Sequence, residues 1–203
     1  MDDFNIEKLD NLSLPRYNIS PSQELITLIN VKGNFKAGMI NWDFKIKHNN
    51  KLKQVINSRS ETINKLYSFK EAIKHKRCLI LADSFYEWDK ESKQPFRFLL
   101  KNKGLYFYAG IYDSYFENNK KKYGTLIITI NANEIVKKHH SRMPVILDLE
   151  SAKKYLDYNI DMDEIINLLN PYPASLMRSY PVSKQVNSPK NDNLELIKKT
   201  TNY

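Results

Sequence analysis

The feature that most constrains the fold is a succession of strand-like runs with no room between them for crossover helices. Gln23–Asn30 and Gly33–Trp42 read as two strands around a short turn, and Val55–Glu61 as another short strand. The apolar run Arg77–Ala82 follows, then Phe96–Leu100, Leu105–Tyr112 and Gly124–Asn131, whose aromatic and β-branched content supports strands. Helical signals are few and short: Phe69–His75, one turn at Glu134–Lys138, then Leu149–Tyr155 and Met162–Leu169 with helical spacing of apolar residues. Ser179–Val186 reads as a late strand before a polar tail. Parallel strands need long crossovers, so this order predicts an α+β fold: a single domain spanning residues 1–203 on a mainly antiparallel sheet.

Composition narrows the function classes. The 203 residues are 41% hydrophobic, enough for a core, and mean hydropathy is −0.58 with no membrane-length apolar run. The opening MDDFNIEKLD lacks the apolar stretch of a signal peptide, so a cytoplasmic protein is expected, with no membrane partner. One cysteine, Cys78, excludes an internal disulfide, and His48, His75, His139 and His140 lack metal-ligand spacing. Neither metal nor cofactor is expected, and a monomer is. Thirty-two Lys and Arg against 23 Asp and Glu give a net charge of +9, which points to a polyanion, above all nucleic acid, or to a solvated lysine-rich surface.

Within LILADSFYEW (79–88) a carboxylate, Glu87, stands between Tyr86 and Trp88. Rings that exclude water raise the pKa of an acid, so Glu87 is a candidate proton donor near neutrality; the plainer reading is an ion pair at a strand end. INSRSET (56–62), LIITINAN (126–133) and HHSRMPVIL (139–147) add an amide, arginines and an imidazole.

Together with PRYNISPSQ (15–23) and PVSKQVNSPKNDNLELI (181–197), these segments resemble, in order and spacing, the SOS response-associated peptidase (SRAP) family, from about Phe4 to Ile197. The resemblance implies a curved, barrel-like antiparallel sheet and recognition of abasic sites in single-stranded DNA. It implies covalent capture of the opened sugar's aldehyde as a thiazolidine, through the amine and thiol of a cysteine in an opening Met-Cys-Gly-Arg. The family name also records a proposed self-processing peptidase activity. Carried over by position, Asn57 orients the reacting terminus, Glu87 is the catalytic acid and His140 the motif histidine, with His139 merely its neighbour. Arg59 and Arg142 correspond to phosphate contacts, Thr129 to a backbone-contacting threonine, and Asn18 and Pro21 to a loop lining the DNA cleft. Period-2 alternation places Asn57 and Arg59 on one strand face.

The sequence departs from that pattern at three places. It opens Met1-Asp2-Asp3-Phe4, with no cysteine at the second position, so the chain as written is expected not to crosslink stably. The family's aromatic wedge is replaced by NWDFKIK, in which Trp42 and Phe44 either stack on bases or fill the core. Lys70 stands where an arginine is common, keeping the charge but losing the planar fork. Two other functions remain open: a non-catalytic single-strand binder, and a thiol peptidase using Cys78 and His140.

Overall fold

A computed structural model describes Phe4 and residues 15–49, 51–102 and 104–201; the opening Met1-Asp2-Asp3 lies outside them. In chain order the strands are β1 (Glu24–Val31), β2 (Asn34–Asn41), β3 (Phe44–His48), β4 (Lys51–Val55) and β5 (Asn57–Arg59). Helix α1 (Tyr67–His75) precedes β6 (Arg77–Ala82), β7 (Ser84–Trp88), β8 (Pro95–Leu100), β9 (Tyr106–Glu117) and β10 (Lys120–Asn131). Then come α2 (Glu134–Lys137), β11 (Arg142–Pro144), β12 (Ile146–Leu147), α3 (Leu149–Leu156), α4 (Met162–Leu168) and β13 (Met177–Pro181). None of these helices is long and apolar enough to cross a membrane.

Strands β10, β2, β1, β6 and β9 pair in that order, and β9 pairs back with β10, so five strands close into a barrel-like sheet. Pairing is antiparallel except where β10 meets β2 and β5. Closure removes the exposed edges that an open sheet would present. Alternation then divides the sheet into two faces. Leu28, Leu79, Ala109, Ile111, Leu126 and Ile128 pack under α1, α3 and α4, whose Ile73, Tyr155 and Ile165 are fully buried. Asp148 and Asp161 cap α3 and α4 through backbone N–H groups, which explains where these short helices begin. The opposite face carries Leu25, Ile80, Tyr108 and Ile127, which meet Phe98 and Leu100 of β8 and Met177 of β13. Those residues come from a smaller sheet ordered β13-β8-β7. The α+β single-sheet architecture expected from the strand order is therefore present, with a second small sheet laid against it.

Three local readings are corrected. Residues 44–55 form the hairpin β3–β4, whose alternation the lysines mask, so Val55 closes β4 and the strand expected over Val55–Glu61 is only Asn57–Arg59. The strand expected at Ser179–Val186 runs instead from Met177 to Pro181; Ser183 then caps a 3-10 turn over Lys184–Asn187. Proline lacks the N–H needed to continue the ladder. Strands β9 and β10 extend well past Tyr112 and before Gly124, meeting at Asn118 and Asn119, both at positive φ. Two consecutive asparagines in the left-handed region suit a tight hairpin turn.

Candidate functional site

Glu87 sits on β7 opposite Phe96 of β8. The pleat turns Tyr86 and Trp88 to the far side, where Tyr86 bonds the Tyr17 carbonyl and the Trp88 indole donates to Asn187 Oδ1. The rings that remove water from Glu87 are therefore not its sequence neighbours. On its own face Phe85 stacks on Phe98 with centroids 5.2 Å apart, and Phe96 stacks on His139 at 4.0 Å. Burial pushes the Glu87 carboxyl up to about 7, against smaller opposing effects of His140 and the Trp88 N–H. His139, read from sequence as a bystander, is part of this wall and lies 3.4 Å from Asp89. No sequence signal short of its doublet with His140 marked it.

His140 faces Glu87 with Nδ1 at 3.6 Å from Oε1. The loop holding it is anchored by Asn133, which caps α2 through the Val136 N–H and donates to the Tyr172 carbonyl. Both His139 and His140 donate their backbone N–H to the Val136 carbonyl. Nδ1 of His140 accepts from the Arg142 N–H at 3.2 Å, or, when protonated, donates to the Arg142 carbonyl at 3.1 Å. This ring can thus hold or release a proton beside Glu87 without losing its backbone anchor.

Strand β5 runs parallel to β10, pairing Asn57 with Ile127 and Arg59 with Thr129. Asn57 and Arg59 are exposed while Ser58 between them is buried, so both point to one side as alternation requires. Neither side chain makes a hydrogen bond or ion pair with another described residue. Ile127, the partner of Asn57 in the ladder, belongs to the same apolar core that Phe85 and Phe96 border. Arg142 is engaged. Its guanidinium forms a fork with Glu61 at 2.6 and 2.9 Å and also bonds Asn131 Oδ1 and the Thr129 carbonyl. Arg142 draws Glu61 down to about 2. A phosphate reaching Arg142 would have to displace Glu61, so Arg59 is the free exposed cation of the pair. Glu61, within INSRSET, meets Arg142 across 81 residues, a contact that leaves no local trace in the sequence.

The remaining candidates divide. Phe44 is 2% exposed in the core, so it offers no ring to a base. Trp42 is half-buried and its indole donates to the Ile56 carbonyl, one residue before Asn57. Asn18 is buried, its amide bonded to the carbonyls of Val186, Ser188 and Asn191, so it shapes the loop rather than lining a cleft. Pro21 is exposed in the adjoining turn. Lys70 is exposed on α1, in the layer covering the other face, apart from Glu87. Among the described residues no group of three or more His, Cys, Asp or Glu is placed to hold a metal.

Cys78 is fully buried, bonded to Thr125 Oγ1 at 3.2 Å, and its thiol is pushed up to about 12 by burial. A thiol protonated across the physiological range has no nucleophilic thiolate to offer, which removes the attacking group of the thiol-peptidase reading. Iodoacetamide should leave Cys78 unmodified in the folded protein while fully labelling a free small thiol; mass spectrometry in increasing urea should show labelling only with global unfolding.

The sequence matches the family described as SOS response associated peptidase (SRAP) over residues 2–189. The chain belongs to the SRAP family. It is 39% identical over 212 residues to the abasic site processing protein YoqW of Bacillus subtilis (strain 168), covering 97% of this chain and 92% of that protein. It is 30% identical over 186 residues to the abasic site processing protein YedK of Escherichia coli (strain K12), covering 90% and 83%. A crystal structure of a protein from Bacteroides thetaiotaomicron superposes with a TM-score of 0.72 at 23% identity, over 92% of this chain and 82% of that one, and shares its fold. In this SRAP domain Glu87, His140, Asn57 and Arg59 therefore stand on a family scaffold.

Proposed function

We propose that this SRAP domain recognises abasic sites in single-stranded DNA, as a DNA-repair protein of the SOS response. Its relatives' names, abasic site processing proteins, support the lesion, and the net charge of +9 supports the nucleic acid. The observation that carries the reading is a carboxyl held near neutrality, Glu87, 3.6 Å from a solvent-reached imidazole, His140. At an abasic site the sugar interconverts between ring and open aldehyde. Opening the ring moves a proton from the C1 hydroxyl and adds one to the ring oxygen. Glu87 in its acid form donates the latter and His140 accepts the former. Arg59 holds a flanking phosphate, and Asn57 orients the group that approaches the aldehyde carbon.

Covalent capture as a thiazolidine consumes one amine and one thiol of the same residue and releases one water. The only cysteine in the 203-residue sequence is Cys78, whose nitrogen is in a peptide bond and whose thiol is buried. The chain should thus bind an abasic oligonucleotide more tightly than an intact one, yet leave no heat-stable adduct on a denaturing gel. A heat-stable adduct would refute the assignment of capture to a residue this sequence lacks. Equal affinity for intact and abasic strands would instead favour a lesion-blind single-strand binder, the reading that the charge alone supports.

A further inference from the structure

The outer face of the small sheet, turned away from Glu87, carries a second polar site. A cavity of about 320 Å³ is lined by Asp83, Arg97, Leu99, Arg178 and Tyr180. The register explains the grouping: Arg97 lies opposite Tyr180 on β13, and Leu99 opposite Arg178. The sequence has only six arginines, its other positive charges being lysines, and two of the six meet here.

The two guanidiniums are in different states. Arg97 is 7% exposed and held on three sides: Nε donates to Ser84 Oγ at 2.9 Å, Nη1 to Tyr180 Oη at 3.0 Å and Nη2 to Asp83 Oδ2 at 3.0 Å. The Tyr180 hydroxyl donates to the Ile197 carbonyl, and the Ser84 hydroxyl donates to Asp83 Oδ1. The single carboxylate in the cavity is therefore already engaged at both oxygens. The Arg178 guanidinium has no hydrogen-bond or ion-pair partner among the described residues, and its Nε is buried. A guanidinium carries five N–H groups in a plane, so two remain on Arg97 and all five on Arg178. Both side chains line one cavity whose fixed charges are two cations and one anion. Buried donors without an acceptor are destabilising, and a guanidinium is matched best by an oxyanion that can receive several of them at once.

We propose that this cavity binds a phosphate group, with Arg178 as the principal donor, Arg97 as the fixed second cation and Leu99 as its apolar floor. A phosphate has enough oxygens to meet donors arriving from two strands, whereas a planar carboxylate offers only two. The phosphate is either a phosphodiester of a nucleic-acid strand passing over the outer face of the small sheet or a free phosphate. The site is on the opposite face from Glu87 and does not depend on the lesion reading.

The test uses the full chain and the variants Arg178→Gln and Arg178→Lys, with inorganic phosphate and an intact single-stranded oligonucleotide as separate probes. Phosphate at a hundred times its Kd should raise the native melting temperature by about 5 °C or more. It should also shift the Arg178 Nε–H resonance. Arg178→Gln should melt like the native chain without phosphate and bind phosphate about ten-fold or more weakly, with Arg178→Lys between them. If Arg178→Gln also weakens binding of the oligonucleotide, the source is a strand phosphodiester; if only free phosphate is affected, the ligand is a free phosphate. Phosphate that leaves both the melting temperature and the Arg178 resonance unchanged in the native chain, with oligonucleotide binding equal in Arg178→Gln, overturns the proposal. Preference for abasic over intact strands, measured in parallel, reports separately on the reaction site and should be unchanged in Arg178→Gln.

Discussion

Glu87→Gln should be more stable than the native chain at pH 8, by up to about 3 kcal/mol, and no more stable at pH 4. The folded state raises this carboxyl from 4.5 to about 7, chiefly because burial disfavours its charge. Between those values the folded protein binds the proton more tightly than the unfolded chain. The stabilisation is therefore complete below 4.5 and is lost as pH rises through 7. Glutamine stays neutral, so the variant keeps what the native chain loses. Urea unfolding followed from pH 4 to pH 8 reads the difference, and parallel curves would show that burial of Glu87 carries no such cost. The same change should be harmful to function. In a chain given the opening Met-Cys-Gly-Arg, Glu87→Gln should slow adduct formation on abasic DNA by roughly 10²–10⁴-fold, the usual worth of a positioned acid. Adduct formation by that chain with Glu87 intact should itself slow as pH rises above 7 and Glu87 ionises beside His140. A residue that lowers stability at the pH where it acts is what a reaction site requires and a core does not.

Gly124→Ala should be the most damaging single-methyl change in the fold. A Cβ at Gly124 would stand 2.0 Å from the Asp43 carbonyl oxygen and 3.2 Å from Phe44 Cα, both backbone atoms at the start of the β3–β4 hairpin. Backbone cannot rotate aside as a side chain can, so the hairpin must move off β10 and take buried Phe44 with it. A loss of about 3 kcal/mol or more is expected, which for a chain of this size lowers the melting temperature by roughly 6–12 °C. Gly38→Ala is the control, since nothing lies within 4 Å of its Cβ and its melting temperature should barely change. Calorimetry on the two variants decides the matter: equal melting points would mean that β3–β4 is not pressed against β10.

What the sequence disclosed follows the range of the forces involved. Strands such as Arg77–Ala82 and Gly124–Asn131 were legible because apolar content marks a buried ladder locally. The shared face of Asn57 and Arg59 followed from alternation, while its exposure became visible only in the fold. The raised acid was legible in direction but not in setting: the neighbours in sequence, Tyr86 and Trp88, face away, and the face Glu87 occupies is shared with Phe85 and with Phe96, brought across from β8. The engagement of Arg142 by Glu61 and the burial of Asn18 were illegible for the same reason, as both depend on partners far along the chain. The β3–β4 hairpin was hidden because only Phe44, Ile46 and Val55 of its residues face the core.

The clasp at Asn18 has a consequence for synthesis. This side chain, with the backbone N–H groups of Tyr17 and Asn18 bonded to Asp192, ties the start of the described fold to carbonyls nearly 170 residues later. Contacts so remote carry a high loop-closure cost until the intervening sheet brings their ends together. A polypeptide still emerging from the ribosome, or one released early by a stop codon before Val186, would present the loop around Pro21 without its fastener.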